Sequence, residues 1–261
     1  MNDIQIINAD ASNIRNFSLC GYKNPNQEGY KRKADWLSKR FAEGLKYQIL
    51  YSEKEGTLGS IEYIPGQYAW RPVEANGYMF IHCIFIIPNN LKGQGYGGKL
   101  VETCEKDAER LNMKGVAVVT RKGTWMAGAE LFLKRSYRVA DSAPPDFELL
   151  ALRFNSNVEY PAFKKHLREQ KSDQINGLKI YTSDQCPYTS KANMEIGQTA
   201  LNEYSVKPEI IELNTAEEAQ NSPCAFGTFC MIHNGEIIAD HPISNTRFKN
   251  IMNKKSGYQK L

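Results

Sequence analysis

No other stretch narrows the fold of this chain as far as residues 77–100. There an apolar run, "GYMFIHCIFIIP" (77–88), passes straight into "NNLKGQGYGGKL" (89–100), which opens a helical pattern. Strand, glycine loop and helix in that order make an anion site. The unpaired backbone N–H groups of the first helical turn and the positive end of its dipole converge there. Gly93, Gly95, Gly97 and Gly98 let a ligand approach the backbone closely, and an ordinary turn needs fewer of them. Two phosphate patterns compete. Gly93, Gly95 and Gly98 have the spacing G-x-G-x-x-G, but a dinucleotide fold also wants an acidic residue about 20 positions later. That neighbourhood reads "VVTRKG" and offers no carboxylate, which argues against a nicotinamide enzyme.

The surrounding pattern predicts α/β (α+β) architecture. Tyr30, Ala34, Leu37 and Phe41 mark an amphipathic helix within 27–46. "YQILYS", "TLGSIEYIP" and the 77–88 run read as an antiparallel meander. A helix over about 98–112, the strand "GVAVVT" (115–120), a helix over 125–135 and the strands "YRVAD" and "FELLALRF" complete a first unit. At 261 residues, with 41% hydrophobic and 24% charged residues, two modest domains fit better than one. We expect a first domain over 1–154, a polar linker over 155–176 with one short helix around Phe163 to Glu169, and a second domain over 177–261 in the order β-α-β-(α)-β-β-α. Its hairpin "FCMIHNGEIIA" turns on Asn234-Gly235.

Net charge is +4 with Lys and Arg scattered, so no nucleic-acid partner is expected. The opening "MNDIQIINADASNIRNF" lacks the layout of a signal peptide, and the longest apolar run, Phe80 to Pro88, is too short for a bilayer. We expect a cytoplasmic protein with no membrane partner, a homodimer being the assembly to test. The six cysteines are widely spaced without a zinc rhythm, so reduced thiols and no metal are expected.

The second phosphate pattern is R/Q-x-x-G-x-G/A. Lys92-Gly93-Gln94-Gly95-Tyr96-Gly97 meets it, except that Lys stands for Arg or Gln. With the strands on either side, residues 1–154 resemble the GNAT family of acyl-CoA-dependent N-acyltransferases. The resemblance implies acetyl-CoA as cosubstrate, its pyrophosphate held by Lys92, Gly93, Gln94, Gly95, Tyr96, Gly97 and Gly98. Phe85, Ile86 and Ile87 would lie along the pantetheine and thioester, and a backbone N–H near Ile86 would meet the oxyanion. It also implies direct attack by an amine in a ternary complex.

An alkylammonium of pKa about 10.4 must lose a proton first, at roughly 4.6 kcal/mol at pH 7, so a base is valuable. His82 is the candidate base, on the face opposite Cys83 and Phe85 if the strand alternates; a packed core histidine is an equal alternative. Many members of that family use a tyrosine as acid in a segment like "A-x-x-L-Y-x-x-x-G-F", which "AGAELFLKRSYRV" matches. Here Phe132 takes its position, leaving Tyr137 or solvent as the acid; both rings read equally as core.

In "IYTSDQCPYTSKANM", Cys186 sits at a strand end with Pro187 at the first helical position, where a helix dipole can lower a thiol pKa. The stretch resembles glutaredoxins and other thioredoxin-like domains, but Thr189 replaces the second cysteine and Gly227-Thr228 stands where those folds place a cis-proline. Both departures argue against dithiol chemistry. A single-thiol role for Cys186 with Cys224 or Cys230 stays open beside a scaffold that shapes the acceptor site. An acyltransferase followed by such a domain resembles the YoaP-like acetyltransferases. The leading expectation is acetyl transfer to an amine of unknown identity; the rival is a thiol-redox or binding module acting through Cys186, with the first domain sensing CoA.

Overall fold

The computed structural model describes residues 3–87, 89–123, 125–169 and 177–255. A seven-stranded sheet is built from β1 (Ile4–Ala9), β2 (Lys46–Ser52), β3 (Gly56–Pro65), β5 (Tyr78–Ile86), β6 (Gly115–Thr120), β7 (Arg138–Ala143) and β8 (Phe147–Arg153). Its order is β1-β2-β3-β5-β6-β8-β7, antiparallel except between β5 and β6. Helix α2 (Tyr96–Arg110) makes that one parallel crossover, and Tyr96, Leu100, Val101, Cys104 and Ala108 bury its apolar stripe on the sheet. Helix α1 (Glu28–Arg40) precedes β2 and buries Tyr30, Lys33, Ala34 and Leu37. Lys33 thus occupies the core face of its helix.

The C-terminal sheet has the order β11-β10-β12-β13, from β10 (Leu178–Thr182), β11 (Pro208–Glu212), β12 (Phe229–His233) and β13 (Glu236–Ala239). Helix α4 (Thr189–Tyr204) links the parallel pair β10 and β11. Short α5 (Ala216–Gln220) opens with a Thr215/Glu218 capping box, and α6 (Asn245–Lys254) with Ser244 accepting from the Arg247 N–H. The β12–β13 hairpin turns on Asn234 and Gly235, both at positive φ, as the twist of a two-residue turn demands.

Three elements differ from the sequence expectation. The helix expected over 125–135 shortens to α3 (Glu130–Leu133); Trp125, at φ +76°, is in a backbone region closed to helices. In the expected linker, β9 (Ala162–Phe163) pairs with β4 (Val73–Glu74), Phe163 is buried, and a 3-10 turn (Lys165–Leu167) replaces the expected helix; residues 170–176 lie outside the described part. Helix α4 begins at Thr189, so Pro187 precedes it by two residues instead of opening it.

The halves share their core. One apolar cluster runs from Tyr78, Phe80 and Phe147 into Ile180, Phe226 and Phe229, and another from Trp36 and Trp70 into Leu213 and Ala219. Among the described residues no helix is long and apolar enough to cross a membrane.

Candidate active site

Strands β5 and β6 are hydrogen-bonded only from Tyr78 opposite Gly115 to Ile81 opposite Val118. Beyond that point β5 stays with β3 and β6 with β8, so the two diverge. Among the described residues, the edge of β5 from Cys83 to Ile86 has no strand partner on that side. A cavity of about 550 Å³ fills the gap. Ile81 to Ile87, Lys92, Val118, Val119 and Trp125 to Ala127 line it, and Cys20, Gly21, Cys186 and Tyr188 close the opposite wall.

A bulge in the β3–β5 pairing sits where the splay begins. Glu62 faces Cys83 and Tyr63 faces Ile81, leaving His82 as the extra residue of β5. The bulge changes the phase of the strand, which corrects the simple alternation read from the sequence. Ile84 and Ile86 pack with Met79 and Ile81 beneath α2. His82 instead turns towards Phe80, Trp36 and Trp70.

His82 is fully engaged there. The Trp70 backbone N–H donates to Nε2 at 2.9 Å, so the ring proton sits on Nδ1, 3.1 Å from the Glu62 carboxylate. Burial lowers its pKa. Both ring nitrogens are thus engaged within the protein, as in the packed histidine that stands beside a base as the alternative reading. Tyr137 is displaced further: its ring packs edge-on against Phe132 at 5.4 Å beneath α2, outside the cavity lining, and burial keeps its phenol protonated.

Beneath the cavity lies a buried polar network absent from the sequence reading. Glu62 pairs with the Lys33 ammonium, accepts from His82, and accepts from Gln185 Nε2 at 3.0 Å across the boundary between the halves. Burial pushes the Glu62 pKa up, but Lys33 and the His82 hydrogen bond outweigh it and hold the carboxyl down to about 2. Thr228 donates to Gln185 Oε1 and accepts from Arg71, whose guanidinium also reaches the His82 carbonyl. One clue was legible: Glu62 is a lone charge in the apolar run "GSIEYIP".

The glycine loop is at the other end of the cleft. Lys92, Gly93, Gln94 and Gly95 are exposed; Gly93 has φ +78° and Gly95 φ +86°, where any side chain is strained. Gly95 caps α2, and its carbonyl accepts the first helical bond from Lys99, so the N–H groups of Gly97 and Gly98 have no partner within the helix. The first turn carries no acidic residue. Ile86, Ile87 and Lys92 connect this bend to the cavity.

Cys186 does line the cavity, but burial pushes its thiol up to about 12, against the lowering expected from a helix start. Thr189 bonds the carbonyls of Cys186 and Ser183. Cys224 and Cys230 are buried in the core of the C-terminal sheet; the thiols that share the cavity with Cys186 are Cys20 and Cys83.

Known proteins carry related sequences. Residues 209–250 match the family model described as YoaP-like. Over 231 residues the chain is 29% identical to the uncharacterized N-acetyltransferase YoaP of Bacillus subtilis (strain 168), spanning 87% of this chain and 89% of that one. In shape, a GNAT family N-acetyltransferase (YhbS) from Escherichia coli solved with CoA matches 66% of this chain and 95% of its own at 12% identity, with a TM-score of 0.40. A GNAT family acetyltransferase from Brucella melitensis solved with acetyl-CoA matches 63% and 98% at 15% identity, with a TM-score of 0.38.

Proposed function

We propose that the chain is an acyl-CoA-dependent N-acyltransferase, moving an acetyl group from acetyl-CoA to an amine. The observation that carries this reading is the continuity of an anion-binding helix start with a splayed-strand cleft. The amides of Gly97 and Gly98 face a diphosphate with Lys92 beside them. Phe85, Ile86 and Ile87 line the path for the pantetheine arm, whose amides find hydrogen-bonding groups on the unpaired edge of β5. The thioester then lies at the widest part of the splay, where a free backbone N–H can meet the oxyanion. The similarity to YoaP of Bacillus subtilis over most of the chain supports the same reading.

The amine enters from the opposite wall, which the C-terminal unit helps to build through Cys186 and Tyr188. In this reading that unit is a thioredoxin-like scaffold that shapes the acceptor side. The thiol-redox alternative is less well supported, because Cys186 is held protonated and Thr189 stands where a resolving thiol belongs. Calorimetry with acetyl-CoA and CoA tests the assignment: both are expected to bind, with Lys92→Ala weakening each several-fold. An absence of heat for both would sink it. A screen of amines, aminoglycosides, amino acids and peptides for acetyl-CoA-dependent thiol release then identifies the acceptor.

A further inference from the structure

The acceptor side of the cleft is short of negative charge. Among the described lining residues no carboxylate is present, and the one cation, Lys92, belongs to the glycine loop. Both ring nitrogens of His82 are engaged. The network beneath holds two cations, Lys33 and Arg71, against a single carboxylate, Glu62. Arg71 is 3% exposed; its guanidinium donates to the Trp70 and His82 carbonyls and to the Thr228 hydroxyl, with no acidic partner among the described residues. Asp184, next to Gln185, is tied to Arg32, and Glu28 lines a separate cavity beyond Tyr188. An ammonium drawn into this cleft would leave water for a positive field with no carboxylate to meet it.

The same side is rich in aromatic surface. Trp125 and Tyr188 meet edge-on at 5.7 Å, and Tyr22 continues the row against Tyr188 at 5.0 Å. Trp125 is 43% exposed and Tyr188 41%, so ring area of both stays uncovered. The Tyr188 hydroxyl donates to the Cys20 carbonyl at 2.7 Å, which fixes that ring across the boundary between the halves. Trp125 is held at φ +76°, a costly backbone region for a bulky side chain that only its surroundings can impose. Such faces accept a flat ring edge-on or offset. They attract cations as well, so the rings alone do not choose between an ammonium and a neutral ring; the surplus positive charge does. The second cavity, of about 910 Å³, shares Gly21 and Tyr188 with the cleft and gives room for the rest of a longer acceptor.

We propose that the acceptor is an aromatic amine, taken up as the neutral base with its ring against Trp125 and Tyr188; this rests on the acyltransferase reading. An alkylamine with an ammonium pKa of about 10.4 is free in only about one molecule in 2,500 at pH 7. An aromatic amine shares its lone pair with the ring, is unprotonated at that pH, and needs no protein base to expose it. The neutral nitrogen attacks the thioester carbonyl carbon directly and forms the C–N bond. The tetrahedral oxyanion collapses, the C–S bond breaks, and CoA leaves as a thiolate. The proton carried by the nitrogen passes to that sulfur, whose thiol pKa of about 8.5 makes it the stronger base. Acyl-CoA and amine have then become anilide and CoA thiol. The positive charge that disfavours an ammonium here stabilises the oxyanion and the departing thiolate.

Two isomers make the test. p-Toluidine and benzylamine contain the same atoms and the same ring, but the first is a free amine at pH 7 and the second is mostly ammonium. The full chain is given saturating acetyl-CoA with each in turn, and both released CoA and acetylated product are measured. We expect kcat/KM for p-toluidine to exceed that for benzylamine by at least about 30-fold at pH 7. The p-toluidine rate should change less than about 2-fold between pH 6.5 and 8.5, whereas any benzylamine rate should climb about 10-fold per pH unit with its free fraction. Trp125→Ala should raise KM for p-toluidine about 10-fold while calorimetric affinity for acetyl-CoA changes little. A smaller preference, a p-toluidine rate that climbs with pH as though a protein base were titrating, or no p-toluidine product although acetyl-CoA binds overturns the aromatic-amine proposal and leaves the acyltransferase reading standing. If neither acetyl-CoA nor CoA binds, both fall. Should Trp125→Ala not fold, the two isomers on the unaltered chain decide alone.

Discussion

Glu62 carries a full charge in the interior only because Lys33, His82 and Gln185 surround it. Its depressed pKa makes stability depend on pH with a definite sign. The unfolded chain ionises this carboxyl near 4.5 and the folded one near 2, so the stabilisation is present above about 4.5 and lost as pH falls towards 2. His82 acts higher: burial depresses its pKa below the ordinary 6.5, so its contribution is present above that value and declines as the solution becomes more acid. Urea denaturation at a series of pH values should therefore show a decline that begins near 6.5 and continues below 4.5. Glu62→Gln should cost about 3 kcal/mol at pH 7, because Lys33 is left buried without its counter-charge, and should flatten the lower part of the curve. A stability profile unchanged from pH 7 to 3 would refute this account. The sequence marked Glu62 as out of place in an apolar strand, but the cation that answers it is 29 positions away.

The start of α2 and the turn before β12 each depend on a glycine that nothing else replaces. At Gly95, φ +86° makes an alanine strained by roughly 1–2 kcal/mol even though the space beside it is open. We expect Gly95→Ala to weaken acetyl-CoA about 10-fold by calorimetry while the melting temperature moves little, since the strain falls on the exposed bend. Gly227 has φ +78°, and a Cβ there would lie 2.6 Å from the Trp70 carbonyl oxygen. Gly227→Ala should therefore cost at least about 2 kcal/mol and lower the melting temperature by roughly 5 °C, because the two halves must separate to admit the methyl group. A variant melting within a degree of the parent would show that the contact is dispensable. Most strands and helices were legible from periodicity; the β5 bulge was not, since an extra residue in an apolar run leaves the pattern of residue types unchanged.

The shared core predicts how the chain unfolds. Because one apolar cluster includes residues of both sheets, and Gln185 completes the hydrogen bonding of Glu62, the halves should melt together. Calorimetric and van't Hoff enthalpies should agree for a single transition, and two separated transitions would count against it. Removal of residues 177–261 should leave the first half unstable, with Trp70 and Arg71 uncovered and a buried carboxylate short of a donor. Local pattern was enough to reveal the strand–loop–helix order around the glycines, the α/β class and the Asn234-Gly235 hairpin, because each depends on neighbours a few positions apart. The assembly of Cys20, Cys83 and Cys186 in one cleft, and the closing of the Glu62 network by a residue 123 positions away, came from the packing of the two sheets. Hydrophobic spacing tells which face of an element is apolar, and it is silent on which faces meet.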